Sequence, residues 1–422
     1  MDNSNLGNSW MIYGAGGFSG RLIAEEAVRR GYRPVLAGRR ATTVVPLAEK
    51  LGCQSRIFPA DEPEKIIPHL EGVHLLLNCA GPFSQTAPGL VTACLQRKIH
   101  YLDITGEHVV IRQLSRLDPK AREMGLIILP AVGFGVVPSD CMAAKLANRH
   151  PEADSLRLAF TGERAISKGT AKSMWEGAVR GGFVRWNGEL VRIPLGGLIW
   201  SVPFPSGPKL AICVPWADIE TAYHSTKIPN IMTFVVFPRI LVRLLRFWCR
   251  LSRPFGSVGL PPLAEMPRRN SSRGFPTSQP NSANFHPVNP AERGRNSSPR
   301  DLTTGVVPGV ALEAVPPEIP RLTFAQRFLR NLGWAMIERL FREPTGPEIA
   351  QARAEFYGEV SAAGKVLGTL ALKTPGGYRL TVETALAAVE AVLTSPPPPG
   401  FHTPATAFGE DFVLKMPEVT LA

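Results

Sequence analysis

The chain has 422 residues, 44% of them apolar, and a formal charge of +12 with a pI near 9.7. Its length and apolar fraction exclude a fibre and give two or three domains with a sizeable core. The basic balance comes without zinc-finger spacing, an RNP-like aromatic pattern or a basic-region heptad, which argues against nucleic acid and for an anionic cofactor, an anionic substrate or a membrane surface.

Polar residues 1–9 run directly into the first apolar segment and leave no room for a secretory signal. Six scattered cysteines, Cys53, Cys79, Cys94, Cys141, Cys213 and Cys249, include no C-x-x-C pair, so neither a metal site nor a disulfide framework is expected. The expected location is the cytoplasm, with reduced thiols.

Trp10 to Tyr13 is an apolar run of strand length, followed by Gly14-Ala15-Gly16-Gly17-Phe18-Ser19-Gly20 and then by Arg21 to Ala27, which reads as a helix. A tight turn there aims several backbone N–H groups at one spot, with the positive end of the helix dipole behind them, and such a spot binds phosphate. Between strand and helix the glycines form a dinucleotide fingerprint, and Gly14, Gly16, Gly17, Phe18, Ser19 and Gly20 are candidate cofactor-binding residues. After Gly31, Tyr32 to Ala37 read as a second strand leading to Gly38-Arg39-Arg40, where such folds read the ribose. A carboxylate there would hold the 2′-hydroxyl of NAD. Arg39 and Arg40 instead suit a 2′-phosphate, so the predicted cofactor is NADP(H).

Ser55 to Phe58 is a third strand, ending near Asp61, and Val73 to Leu77 a fourth, followed by Asn78-Cys79-Ala80-Gly81-Pro82-Phe83. Gly89 to Lys98 reads as a helix, and Tyr101 to Ile104 and Leu126 to Leu129 as strands. This alternation predicts a parallel sheet whose ligand lies beyond the carboxyl ends of the strands. Asp61, Asn78, Ala80, Gly81 and Pro82 therefore join the cofactor-binding set. Past residue 150 strands with turns take over, including Leu156 to Thr161, Arg192 to Pro194, Leu210 to Val214 and Ala371 to Thr374.

The fold class is thus α/β: a Rossmann-type doubly wound parallel sheet followed by a second α+β domain, with a disordered Pro/Ser/Arg-rich insertion. Residues 1–150 form the NADP-binding domain, 151–260 the first part of a substrate domain, 261–320 the insertion, and 321–422 a lipophilic helix with the rest of the substrate domain. The insertion is too poor in apolar residues to offset chain entropy. Beside it, Phe237 to Leu251, continuing to Arg253, places arginines at 239, 243, 246, 250 and 253 on one helical face, and Phe324 to Phe341 repeats the lipophilic theme. A basic amphipathic helix of this kind lies in a bilayer interface, lines an acyl slot or packs on the core, and neither stretch is apolar for long enough to span a membrane.

Taken together, GAGGFSG with Arg21 to Ala24, Ala37-Gly38-Arg39, Leu77 to Phe83, His100 to Glu107 and Gly133-Phe134-Gly135 through Pro138-Ser139-Asp140 resemble the saccharopine dehydrogenase-like oxidoreductases, with the trans-acting enoyl reductases as the nearest branch. The resemblance continues through Ser167 to Thr170, Val214 to Asp218 with Thr221-Ala222, Ser225-Thr226 with Ile228-Pro229, Gly346-Pro347, Gly377-Tyr378, Thr381 to Ala385 and Thr403 to Ala405, about three quarters of the chain. It implies an NADP(H) domain, a substrate domain and hydride transfer. It departs at Gly135, where relatives usually carry an acidic residue, and at Lys227, where they usually carry glycine.

An enoyl reductase needs an acid, an oxyanion donor and a dry slot. Tyr101, Asp103 and Glu107 lie in or just past a strand aimed at the crevice, and Ser139 and Asp140 follow a glycine turn, so these five are the candidate catalytic residues; no metal is expected. Each has a structural rival: Ser139 or Asp140 as cap of a helix Cys141 to Asn148, Asp103 or Glu107 as partner of a basic neighbour. Tyr223 and Lys227 share the Tyr-x-x-x-Lys spacing of short-chain dehydrogenases but fall in the second domain, and are read as coincidence. The leading function is an NADPH-dependent enoyl reductase acting in trans on a polyketide or lipid acyl thioester. Its partners would be a small-molecule or carrier-bound acyl substrate, a polyketide synthase, and a membrane touched peripherally through Phe237 to Leu251. Two alternatives stand beside it: a saccharopine-type dehydrogenase acting on a carbon–nitrogen bond of an amino acid, and a non-catalytic membrane-associated NADP-binding protein.

Overall fold

The first sheet is assembled from strands whose side chains are apolar on both faces, the signature of a parallel sheet covered by helices. A computed structural model describes residues 9–161, 166–193, 197–237 and 324–422. Its strands are β1 (Trp10–Tyr13), β2 (Val35–Gly38), β3 (Ser55–Ile57), β4 (Leu75–Asn78), β5 (His100–Asp103) and β6 (Ile127–Leu129). Between and after them come helices α1 (Phe18–Arg29), α2 (Ala41–Leu51), α3 (Pro63–Ile66), α4 (Phe83–Arg97), α5 (His108–Ser115), α6 (Asp118–Met124) and α7 (Val137–Arg149). Strand order is β6-β5-β4-β1-β2-β3, all parallel, so the order reverses between β1 and β4. The register levels Tyr13 with Ala37 and Asn78, and Asn78 with Asp103, so the loops leave the sheet at one height. Leu75, Leu76 and Leu77 have no exposed surface, each contributing roughly 1.5–3 kcal/mol of burial.

Two helix starts differ from expectation. α4 begins at Phe83 rather than Gly89 and runs through Pro88, because the Glu107 carboxylate accepts from Phe83 N and Ser84 N at 2.8 and 3.0 Å and secures the first turn. α7 begins at Val137 rather than Cys141, with Pro138 in its first turn, where a missing N–H costs nothing. Ser139 and Asp140 are therefore inside the helix, not at its cap.

The second sheet holds β7 (Ser155–Thr161), β8 (Gly182–Trp186), β9 (Glu189–Ile193), β10 (Ile199–Phe204), β11 (Gly207–Cys213), β12 (Asn230–Val236), β13 (Arg353–Ala362), β14 (Lys365–Pro375) and β16 (Thr420–Leu421). The path runs β10-β11-β12-β7-β13-β14-β16, with β8 on β12 and β9 on β8; β12 and β7 are parallel and the other pairs antiparallel. Its helices are α8 (Lys168–Arg180), α9 (Asp218–Thr226), α10 (Phe324–Leu340), α11 (Gly346–Gln351), α12 (Gly377–Thr394) and α13 (Pro404–Phe408). α7 lies against β13, where a β-carbon at Gly358 would stand 2.9 Å from Leu146 Cδ1.

The stretch from 321 on is not confined to the second sheet. β15 (Gly400–Phe401) pairs with β6 as a seventh strand of the first sheet, α12 packs on α1, and Thr384 Oγ1 donates to Val132 O at 2.8 Å. One continuous core joins Ile12, Ile23 and Leu77 to Leu158, Phe356 and Ala385. Both sheets are thus parts of one unit, because the buried face of α12 has its apolar complement on the first sheet. The basic helix expected at Phe237 to Leu251 lies, beyond Phe237, outside the described residues, and so does the insertion 261–320.

Candidate active site

The glycine loop is shaped by close backbone approach. Gly14 takes φ +85°, and a β-carbon there would stand 2.8 Å from Ala80 N, so β1 and β4 can deliver their loops to the same spot only with glycine at this position. A β-carbon on Gly16 would collide with Thr43 of α2, and one on Gly20 would lie 2.9 Å from the Gly14 carbonyl carbon, inside the helix–strand contact. Gly17 is the N-cap of α1, with no side-chain cap and no acidic residue in the first turn. The N–H groups of that turn and the positive end of the helix are left for an anion.

Arg39 and Arg40 follow β2 at the same end of the sheet, both exposed. Arg40 O starts α2 by accepting from Thr43 N and Val44 N, while neither guanidinium has an ion-pair partner among the described residues. Tyr13 lies behind them, its hydroxyl donating to Phe58 O at 3.0 Å. Burial pushes it up to about 12, the charge of Arg39 opposes that rise, and Asp61 adds to it. Arg39 and Asp61 therefore both act electrostatically on the Tyr13 phenol. Asn78 is buried at the end of β4, its Oδ1 accepting from Ala80 N and its Nδ2 donating to Tyr101 Oη at 3.1 Å. It shapes the Ala80-Gly81-Pro82 turn from beneath, and Gly81 is the exposed tip.

Two of the five catalytic candidates share one network. The Tyr101 hydroxyl donates to Asp103 Oδ2 at 3.0 Å, and Asp103 Oδ1 accepts from Thr105 N and Ala131 N at 2.9 and 3.0 Å. Tyr101 and Asp103 are buried. Burial pushes the Asp103 carboxyl up to about 6 against those three donors, and drives the Tyr101 phenol well above its usual value. Glu107, half-buried, bonds the first turn of α4 and pairs by backbone with Trp216. Ser139 and Asp140, fully buried, face elsewhere. Ser139 Oγ donates to Val136 O and contacts Asp218 Oδ1 closely, while Asp140 accepts from Ser225 Oγ and Ala405 N, joining α7, α9 and α13. All five hold loops and helices in register; none of their carboxylate or hydroxyl groups is displayed on an open wall.

The groups brought to the mouth are others. Tyr378 meets Phe18 edge-on at 4.8 Å; its hydroxyl accepts from Ser167 N at 2.6 Å and lies 3.2 Å from Thr170 Oγ1. A β-carbon on Gly81 would be 3.5 Å from Ser173 Oγ, so α8 closes over the turn after β4. Deeper in, Phe134, Phe160, Phe356 and Trp216 pack edge-to-face or stacked at 5.1–6.0 Å, an apolar wall where the second sheet meets the ends of β5 and β6. Ser167, Thr170 and Tyr378 stood in sequence only as members of separate motifs; that they converge is a property of the fold.

Residues 10–129 match the family model for the saccharopine dehydrogenase NADP-binding domain, the segment whose geometry has just been described. That segment is similar to the NADP-binding domain of the saccharopine dehydrogenases. A trans-acting enoyl reductase of Mycobacterium tuberculosis is 30% identical over 190 residues, 43% of this chain and 44% of that protein. One from Mycobacterium ulcerans is 31% identical over 159 residues, 36% and 38% of the two chains. The chain thus spans less than half the length of the curated relatives it matches. Among solved structures, apo saccharopine dehydrogenase (L-Glu forming) of Saccharomyces cerevisiae superposes with a TM-score of 0.56 at 10% identity, covering 98% of this chain and 99% of that one. Homospermidine synthase of Legionella pneumophila, in complex with NAD, gives 0.56 at 9%, covering 96% and 88%. These two likenesses establish that the fold extends through the second sheet.

The two departures from the family pattern have physical counterparts around this NADP-binding domain. The Trp216 indole occupies the space a side chain at Gly135 would fill: a β-carbon there would be 3.0 Å from Nε1, which donates to Gly135 O at 2.7 Å. Lys227 ends α9 in the left-handed region, φ +61°, a conformation suited to glycine. It is also part of the Tyr-x-x-x-Lys spacing, but the Tyr223 ring is covered by the Arg185 guanidinium at 4.0 Å, with Lys227 Nζ at 5.9 Å, so the pair is structural.

Proposed function

We propose that the protein is an NADPH-dependent oxidoreductase of the trans-acting enoyl reductase type, reducing the conjugated double bond of a polyketide or lipid acyl thioester. The observation that carries the oxidoreductase reading is the cradle itself: Gly14, Gly16 and Gly20 clear the backbone around the α1 N-terminus, and Arg39 and Arg40, with no ion-pair partner among the described residues, would receive a 2′-phosphate. The names of the mycobacterial relatives support the finer reading, and so do the half-buried Phe134 and Trp216 rings, which suit an acyl chain better than a charged amino acid. When bound, NADPH supplies hydride.

The chain's own contribution is to hold the phosphates on α1, to keep water from the slot by closing α8 over Gly81, and to present a hydroxyl to the thioester carbonyl. Tyr378 is our choice for that donor. Its oxygen accepts from Ser167 N and lies 3.2 Å from Thr170 Oγ1, which leaves its O–H as the group that would turn to a substrate carbonyl.

The test is NADPH oxidation with trans-2-enoyl thioesters against saccharopine, and against glutamate with aminoadipate semialdehyde. Enoyl turnover that falls about 100-fold or more in Tyr378→Phe, with NADPH affinity retained, is the expected result. Turnover only with the amino acid substrates would transfer the protein to the dehydrogenase class. Tight NADPH binding with no turnover on either class would leave a non-catalytic binding protein.

A further inference from the structure

Helix α10 (Phe324–Leu340) has two unlike faces. One packs on α8: Ile337 is buried, a side chain at Gly333 would collide with the Trp175 indole, and Glu338 is held by Lys168 and Lys172. The other carries Phe328, Leu332, Met336 and Leu340 at a spacing of four, with 62%, 50%, 53% and 72% of their surfaces exposed. Each step of four advances about 40° around a helix, so the four make one stripe rather than a scatter. Isolated exposed leucines are ordinary on a soluble surface, but a contiguous row of large apolar side chains marks a contact.

The charges around the stripe say what kind of contact. Of the arginines on and just past the helix, Arg342 is held by Glu348, Arg330 lies over the Trp334 ring, and Arg327 falls about 20° from Glu338 on the side that packs on α8. Arg339 lies only about 20° from Phe328, within the stripe, exposed and with no ion-pair partner among the described residues. On a chain of net charge +12, a phospholipid surface answers both features at once, taking the apolar row into the headgroup boundary and Arg339 onto anionic headgroups. No helix among the described residues is long and apolar enough to cross a membrane, so α10 would lie in the interface plane.

We infer that the outer face of α10 is a docking surface for an anionic lipid bilayer, seated through Phe328, Leu332, Met336 and Leu340 and held by Arg339. α8, on which it rests, carries Thr170 and Ser173 beside Tyr378 and Gly81, so docking would bring the cofactor crevice close to the lipid surface. The inference does not depend on the reductase reading.

The experiment is flotation of the full chain with vesicles of phosphatidylcholine containing phosphatidylglycerol, and with phosphatidylcholine alone. Wild type should float with the anionic vesicles and release with salt. Phe328→Glu/Met336→Glu should abolish flotation, and Arg339→Ala should weaken it by roughly fivefold. Both variants should keep the wild-type melting temperature and NADPH affinity, since all three side chains are exposed. Absence of wild-type flotation, or equal flotation of all three proteins, overturns the inference. It is equally overturned by a fall of several degrees in melting temperature of the Phe328/Met336 variant, which would mean that the stripe is packed against the chain itself. A concentration-dependent dimer lost in that variant would assign the face to a second copy and overturn it too.

Discussion

Replacing Arg39 and Arg40 together with alanine should change which nucleotide the protein prefers without changing the fold. Both side chains are exposed and have no acidic partner among the described residues, so their loss leaves no orphaned carboxylate, and the Arg40 carbonyl that begins α2 is untouched. A buried charge-assisted bond is worth about 1.5–3 kcal/mol, but solvent at this site reduces each arginine's contribution to about 1 kcal/mol. Two such contributions give about 2 kcal/mol, roughly a thirtyfold weakening of NADPH. NADH carries a hydroxyl in place of the phosphate and should lose little. Calorimetric titration of wild type and variant with each nucleotide at low and high salt measures all four affinities. The variant should also lose most of the salt dependence of NADPH binding. Equal weakening of both nucleotides, or none for NADPH, would refute the assignment of these arginines to a 2′-phosphate.

Four further substitutions test other parts of the argument. Gly20→Ala forces α1 away from the Gly14 carbonyl and should weaken both nucleotides alike, with a melting temperature lowered by several degrees. Lys227→Gly relieves a left-handed residue at the end of α9 and should stabilise the protein by about 0.5–1 kcal/mol in denaturant titration. Burial holds the Asp218 carboxyl up at about 8, above its usual value near 3.8, so the folded protein binds the extra proton between those values. That contribution is therefore greatest at acid pH and is lost as pH rises through about 8; Asp218→Asn should flatten the fall in stability between pH 5 and 9, and parallel curves for the two proteins would contradict the burial argument. Gly135→Glu must expel the Trp216 indole and should lower the melting temperature and alter tryptophan emission, and Trp216→Ala in the same chain should recover part of the loss.

The cofactor half of the site was legible because its determinants are local. A glycine loop lies between a strand and a helix that adjoin it in sequence, and Arg39 and Arg40 fall one strand later, so composition and spacing alone place them together. The catalytic half resisted because burial is not local. Tyr101, Asp103 and Asp140 occupy strand and helix positions that point toward a crevice in one dimension, yet their polar atoms are consumed by Ala131, Thr105, Ser225 and Ala405, partners 28 to 265 residues away or on neighbouring loops. The start of α4 was misplaced for a related reason: Pro88 reads as a breaker until Glu107, on another loop, caps the turn that precedes it.

By itself the sequence determined the alternation of strands and helices that builds a parallel sheet and the choice of NADP(H) as cofactor, both of which follow from residues within a helix or strand of one another. Tertiary structure alone decided that β15 and α12 return from the C-terminal end to complete the first sheet, that Tyr378, Ser167 and Thr170 meet at its mouth, and that Trp216 fills the place beside Gly135. The reason is that these contacts join segments from 81 to more than 350 residues apart, chosen by which apolar faces are left to be covered once each sheet has formed, and no local pattern carries that information.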